Sequence, residues 1–207
     1  QAPPRIRELR ARWLPSGPFG LDKRGAPVMY GRLGMSDVAG FVREVGLEHH
    51  LAQEFYTNLM LWDMLYQQSC KTGRSLMGGL FVFDVSGLTL SGGFAAHKVA
   101  KQMVTAPVYP GGEHPLPEGM RKCLICNAPW WVGRVWNVVK LLLPARTVAK
   151  VSLFRQDRPD DFMAELLSRV DIDQVPQWLG GTAATPWPYG EGGSVPAGAG
   201  KSSSSVS

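Results

Sequence analysis

Three groups of side chains in this 207-residue sequence have types and spacings that chemistry uses: the pair Cys123-x-x-Cys126, the histidines His49, His50, His97 and His114, and Thr147 with Lys150. A structural zinc site needs four ligands, usually two cysteine pairs or one pair with two histidines. The sequence has no second pair, and its histidines are scattered. Cys123 and Cys126 also sit in a strand-like run, where residues three apart face opposite sides. They read as two small buried apolar side chains, and no metal is expected. With Cys70 they make an odd number, which argues against a disulfide framework and favours a reducing compartment. None of the histidines belongs to a nucleophile–base motif. No G-x-S-x-G elbow, no G-x-G-x-x-G after a strand and no phosphate-cradling G-x-x-x-x-G-K-[ST] loop occurs. The sequence therefore gives no catalytic residue and no cofactor, and the chain reads as a binding protein rather than an enzyme. Thr147 and Lys150 point elsewhere: three residues apart on a helical turn that Pro144 can start, they share a face. A hydroxyl and an ammonium then converge on one anionic group.

The elements that must position these groups follow from apolar periodicity and turn residues. Arg5 to Trp13 reads as a short basic helix, ended by a loop from Pro15 to Gly20. Asp22 to Gly25 is a turn into a first strand, Pro27 to Leu33. Ser36 is placed to cap a short helix through Phe41. Leu47, Leu51, Phe55, Leu59, Trp62 and Tyr66 recur at helical spacing through the longest helix, Glu44 to Lys71, stopped by Gly73. Gly79 to Val85 is an apolar, β-prone run of the kind buried on both faces of a parallel sheet. Ser91 can cap a further helix ending near Val104. Lys122 to Asn127 and Lys150 to Phe154 are strands separated by a helix, Ala128 to Leu143, and Pro159 to Asp161 opens a last helix with acids at its positive end. Alternating strands and helices predict an α/β, largely parallel sheet with crossover helices.

At 44% apolar and 19% charged residues the chain has the make-up of one globular domain, except for a Gly/Ser/Pro-rich stretch, 182–207, that reads as a disordered tail or linker. No run approaches the ~20 apolar residues a membrane-spanning helix needs, so membrane contact would be peripheral. The net charge is +5, with basic residues early in the chain at Arg5, Arg7, Arg10, Arg12, Lys23 and Arg24. That permits an anionic surface as partner. No zinc-finger spacing, basic-aromatic sheet signature or basic recognition helix accompanies it, so nucleic acid is not expected. The sequence begins at Gln1, which reads as a fragment or processed form.

Four segments in order resemble the CRAL-TRIO lipid-binding domains of the phosphatidylinositol-transfer type. Asp22-Lys-Arg-Gly-Ala-Pro-Val28 is similar to the family's D-x-x-G-R-P-V, with Ala26 in place of arginine. Phe83-Asp-Val-Ser-Gly-Leu88 is similar to its D-x-x-G turn after the central strand. Pro117-Glu-Gly-Met-Arg-Lys-Cys-Leu-Ile-Cys-Asn-Ala-Pro129 matches its P-E…I-x-N-A-P block. Pro144 to Lys150 with Val175-Pro-Gln-Trp-Leu-Gly-Gly181 matches its T-x-x-K turn and terminal L-P-x-x-x-G-G. The resemblance spans 22–181, leaving 1–21 as a remnant of the family's N-terminal helical lobe.

The resemblance implies a mixed, largely parallel sheet flanked by helices, with a gate helix over an apolar pocket that holds one membrane phospholipid. Pocket-lining positions would be Gly79, Phe81, Phe83, Val135 and Val139. By motif matching, the headgroup of a phosphatidylinositol would meet Glu118, Thr147 and Lys150, with Glu113 a second candidate for the carboxylate. The gate would be Ala128 to Leu143. On a helical wheel Trp131, Val132, Val135, Trp136, Val138, Val139, Leu142 and Leu143 form one stripe facing core or cavity. The opposite face carries Arg134, Asn137 and Lys140 together with Trp130 and Leu141, a composition suited to a bilayer surface. Trp130, Trp131, Arg134, Trp136, Lys140 and Leu141 are thus the expected membrane contacts. Gly79 and Phe81 stand where phosphatidylcholine-exchanging members carry polar contacts, so that lipid is not expected to be held by the same route. The expected protein is a monomeric, cytoplasmic, peripherally membrane-associated lipid carrier. A lipid-sensing module acting on a partner protein, or a carrier of a different hydrophobic lipid, is the alternative.

Overall fold

The computed structural model describes residues 8–9, 12–92, 119–142 and 144–183. Its centre is a five-stranded sheet in sequential order: β1 (Ser16–Leu21), β2 (Pro27–Arg32), β3 (Gly79–Asp84), β4 (Met120–Ala128) and β5 (Val151–Arg155). β1 runs antiparallel to β2, and the other three pairings are parallel. The mixed, largely parallel sheet is as expected. The strand Ser16–Leu21 is not, since Pro15 to Gly20 was expected to be a loop. Two features hide it in sequence: Pro18 lacks an N–H, and Gly20 has φ +67° beside an irregular register between Pro18 and Leu21. Both are tolerated because β1 is an edge strand.

The α-helices whose full bounds lie within the described residues are α1 (Val38–Val45), α2 (Leu47–Thr72), α3 (Val132–Val139), α4 (Ala145–Val148) and α5 (Pro159–Arg169). The long pattern expected from Glu44 begins only at Leu47, because Gly46 at φ +86° breaks the chain between α1 and α2. The stop at Gly73, in the left-handed region at φ +66°, is as expected. Two expected caps are corrected. Asp37, not Ser36, caps α1 by accepting the Gly40 N–H at 2.7 Å, while the Ser36 hydroxyl donates back to the Arg32 carbonyl. The turn at Ser91 is capped by Thr89, whose hydroxyl oxygen accepts the Gly92 N–H at 3.1 Å. The remainder of the helix expected to reach Val104 lies outside the described residues.

One sheet face is filled by α5 and the segment after it. Phe162, Leu166, Val170, Val175 and Leu179 pack on Val28, Tyr30, Leu80, Val82, Leu124 and Cys126. Burying a side chain of this size contributes about 1.5–3 kcal/mol before conformational entropy is subtracted. α5 starts with Pro159 and the acids Asp160 and Asp161, as expected. Its other end is held by Lys23, whose backbone N–H donates to the Arg169 carbonyl at 2.7 Å and whose ammonium donates to the Leu167 carbonyl at 2.6 Å. Cations there complement the helix dipole. The turn carrying Lys23 is built by buried Asp22, which accepts from the N–H groups of Arg24 and Ala26 at 2.9 Å and pairs with Arg121 at the start of β4.

The other face is covered by α2 at one end. Leu61 and Leu65 pack with Ala26, Met29 and Leu76, joined by Trp62 and Phe81. Two glycines allow this approach. A Cβ on Gly119 would stand 2.8 Å from Leu61 Cδ2, and one on Gly79 would stand 3.2 Å from Leu61 Cδ1 and 2.8 Å from the Pro27 carbonyl oxygen. Gly79 and Gly119 are also joined by a backbone hydrogen bond of 2.8 Å.

Cys123 and Cys126 face opposite sides of β4, Cys123 level with Phe81 and Cys126 within the α5-covered core. Burial pushes the Cys123 thiol up to about 12, with Lys122 opposing the shift. Burial raises Cys126 as well, and the nearby Asp84 charge adds to it. Cys70 is exposed. Since the thiolate is the nucleophile, both β4 thiols are protonated and shielded at pH 8. Iodoacetamide at pH 8 is therefore expected to modify one cysteine per folded chain, Cys70, and all three in urea. Native labelling of Cys123 or Cys126, read by peptide mass spectrometry, would contradict this packing.

Candidate functional site

The face shared with α2 consists of two rows across the parallel strands. Met29, Phe81, Cys123 and Val151 are in register in the first row, and Gly31, Phe83, Ile125 and Leu153 in the second. Met29 and Phe81 of the first row belong to the cluster under α2. Phe83, Ile125 and Leu153 belong to neither packed cluster and are only half-buried. The Phe83 ring leans over Gly31, where a Cβ would stand 2.9 Å from Phe83 Cδ1, and meets Phe81 edge-on at 5.9 Å between centroids. Among the described residues this second row is the apolar surface of the sheet left without a packed layer.

The five expected lining positions divide. Phe81 and Phe83 lie on this face, Phe81 toward α2 and Phe83 in the open row. Gly79 is buried beneath Leu61 of α2. Val135 is exposed on α3, and the Val139 side chain lies outside the described residues. The residues that sequence reading missed are Ile125 and Leu153. Their alternation within β4 and β5 was visible, but only the register places them beside Phe83. A groove of about 470 Å³ lies elsewhere, where the end of α2 meets the approach to β3, lined by Trp62, Tyr66, Arg74 and Met77 among others.

Thr147 and Lys150 lie on one backbone turn. Pro144 leads into the short helix α4, the Lys150 N–H donates to the Thr147 carbonyl at 3.1 Å, and both side chains are half-buried. The Lys150 ammonium donates to the Met120 carbonyl at 2.8 Å, which holds it at the start of β4. Arg121 and Lys122 are neighbours in sequence there, but Arg121 pairs with Asp22 and Lys122 donates to Ser152 Oγ at 2.8 Å. Glu118 and Glu113 lie outside the described residues.

The helix expected over Ala128 to Leu143 is shorter. Ala128 ends β4, Pro129 and Trp130 turn the chain, and α3 starts at Val132, followed by a 3-10 turn at Lys140–Leu142. Of the stripe expected to face core or cavity, Val135 and Val138 are exposed and Trp131, Val132 and Trp136 are half-buried, while the side chains of Val139, Leu142 and Leu143 lie outside the described residues. Of the expected membrane contacts, Trp130 is 65% exposed and Leu141 78%, while Lys140 is half-buried. The Arg134 guanidinium lies over the Trp130 ring at 5.0 Å, joining a cation and an aromatic surface on one side of the helix.

The motif residues between the strands have structural partners. Asp84 at the end of β3 is buried and accepts from the Ser86 N–H at 2.8 Å, the Ser86 hydroxyl at 2.9 Å and the Asn127 carboxamide at 2.9 Å. Gly87 closes its turn at φ +78°. Asn127, at φ +55°, is the one non-glycine residue of positive φ among the described residues.

Comparison with known proteins adds the family. The CRAL/TRIO domain signature matches residues 15–181, so it takes in β1 as well as the four segments from Asp22 to Gly181. The chain is 24% identical over 172 residues to "Phosphatidylinositol/phosphatidylcholine transfer protein SFH12" of Arabidopsis thaliana, covering 83% of this chain and 30% of that protein. It is 27% identical over 175 residues to the SFH4 protein of the same name and organism, covering 83% and 27%. "Protein real-time" of Anopheles gambiae is 25% identical over 173 residues, covering 83% and 24%. The chain thus spans less than half the length of these relatives. A solved structure, "Crystal structure of Sfh5", aligns with a TM-score of 0.40 at 12% identity, covering 85% of this chain and 57% of that one. With the signature running from just before β1 to Gly181, the chain belongs to the CRAL/TRIO domain family.

Proposed function

We propose that this chain binds one membrane phospholipid, with its acyl chains against the Phe83, Ile125 and Leu153 row, and transfers or presents that lipid between membranes. The observation that carries the reading is the apolar second row of the sheet, half-buried and unclaimed by either core cluster among the described residues. A water-facing apolar sheet surface is unfavourable by about 25 cal/mol per Å², whereas acyl chains laid on it exclude water from both. The names of the Arabidopsis relatives, which are phosphatidylinositol/phosphatidylcholine transfer proteins, support the same class of ligand. On this reading the lipid-binding unit begins ahead of Asp22, since β1 is part of its sheet.

The headgroup reading is a phosphatidylinositol or phosphoinositide at Thr147 and Lys150, with Glu118 as the carboxylate partner for inositol hydroxyls. It is supported by the shared turn of Thr147 and Lys150 and by the seating of the ammonium at Met120, two residues after Glu118 in sequence. In vesicle-to-vesicle assays Lys150→Ala is expected to reduce phosphatidylinositol transfer about tenfold or more, as the loss of a charge-assisted hydrogen bond implies, while transfer of another lipid continues. Equal loss of both lipids would reject the assignment.

No described helix is long and apolar enough to cross a membrane. Membrane contact is assigned instead to a peripheral surface on and beside α3, with Trp130 and Leu141 inserted, Trp131 and Trp136 beside them, and Arg134 and Lys140 near lipid phosphates, in a cytoplasmic setting. Full burial of one tryptophan, ~150–250 Å², is worth roughly 4–6 kcal/mol at ~25 cal/mol per Å², and shallow insertion less. Trp130→Ala is therefore expected to weaken sedimentation with anionic vesicles severalfold at unchanged thermal stability. Unchanged sedimentation would remove Trp130 from the surface.

A further inference from the structure

Every described side chain of α3 is exposed or half-buried, and at Gly133 a Cβ would meet nothing within 4 Å. A helix that burial does not fix takes its direction from the backbone leading into it. Here that lead-in is Asn127-Ala-Pro-Trp130, where the regular pairing of β4 with β5 shifts register between Ile125 and Ala128. Backbone bonds hold the rest of this region: Val85 N–H to the Cys126 carbonyl at 3.1 Å, Gln156 N–H to the Ala128 carbonyl at 3.1 Å and Val132 N–H to the Pro129 carbonyl at 2.9 Å. Asn127 supplies the positive φ, which asparagine adopts more readily than most residues. If positive φ were the sole demand, glycine would meet it with less strain. Asparagine adds a donor, and that donor is spent on a buried carboxylate on the neighbouring strand, Asp84 Oδ1 at 2.9 Å. The same oxygen accepts the Ser86 N–H that closes the turn after β3. One carboxylate thus ties the turn leaving β3 to the turn leaving β4.

We propose that the Asn127 carboxamide on the Asp84 carboxylate is a latch that sets the angle at which α3 leaves the sheet, making both of them positioning residues for the cover of the lipid pocket. This rests on the reading of α3 as that cover. Released, the turn keeps its backbone bonds but loses its side-chain anchor to β3, and α3 samples a wider range of angles to the sheet. Losing a hydrogen bond to a charged acceptor changes an opening equilibrium roughly tenfold or more.

The test is a distance distribution between spin labels on exposed positions of the full chain, Asn137→Cys on α3 and Asp173→Cys beyond α5, in a Cys70→Ser background. Asn127→Gly keeps the positive φ and removes the bond, and it is expected to broaden the distribution at least twofold. Asn127→Asp keeps a residue that tolerates positive φ but sets a second carboxylate against Asp84 Oδ1 in place of the donor, and it is expected to broaden the distribution in the same way. A distribution unchanged by Asn127→Gly, or unchanged by Asn127→Asp, overturns the latch. Should a far-UV melt find Asn127→Gly unfolded, Asp84→Asn alone decides: its neutral acceptor should broaden the distribution, and no change overturns the proposal. The lipid reading fails separately. A chain that takes up no phospholipid from phosphatidylinositol vesicles, yet whose distances respond, loses the carrier role and keeps the latch. A lipid-loaded chain with unresponsive distances loses only the latch.

Discussion

Three parallel pairings in a row, from β2 through β5, impose a constraint on everything around them: a parallel sheet is stable only with both faces covered. On one face the protein meets that demand with its own residues. α5 and the segment after it place Phe162, Leu166, Val170, Val175 and Leu179 on the central strands. On the other face α2 covers the first row of residues, drawn close by the absence of side chains at Gly79 and Gly119. The next row, at Phe83, Ile125 and Leu153, is apolar and half-buried. On the proposed reading this imbalance leaves room for acyl chains, which a sheet packed solid on both faces would not.

The polar groups follow the same division. Asp22, Lys23 and Arg121 close the end of the sheet where β2 begins, linking the β1–β2 turn to β4 and to the end of α5. Asp84, Ser86 and Asn127 organise the opposite end, where the chain departs toward α3. Buried carboxylates are costly unless they accept hydrogen bonds or pair with a cation. Asp22 and Asp84 both do so, which explains why two acids can stand in an otherwise apolar interior. Thr147 and Lys150 lie between β4 and β5 on the connection that follows α3, so the proposed headgroup site and the proposed cover belong to one crossover.

Much of this was legible from sequence because it is local. The apolar run Gly79 to Val85, the helical spacing through Trp62, the stop at Gly73 and the acid-rich start at Pro159 each reflect a preference of neighbouring residues. β1 was not legible, since Pro18 and Gly20 argue for a loop and only pairing with β2 overrides them. The caps at Asp37 and Thr89 were missed in favour of nearby serines, because side-chain geometry and not residue type decides between adjacent candidates. Gly79 was expected to line the pocket, and its burial under Leu61 depends on a helix that starts 32 residues earlier in sequence. Ile125 and Leu153 became visible as part of the site only through register. The order of motifs identified the family, while the roles of Asp84 and Asn127 emerged from a contact across 43 positions of sequence.

The central claim is that the open row of the sheet is a binding surface for one phospholipid. Native mass spectrometry of the chain after incubation with mixed phosphatidylinositol and phosphatidylcholine vesicles addresses it most directly. The account predicts a folded species heavier by one phospholipid molecule per chain, with phosphatidylinositol the preferred adduct. A folded chain that appears at its bare mass alone, with neither lipid retained, would contradict it.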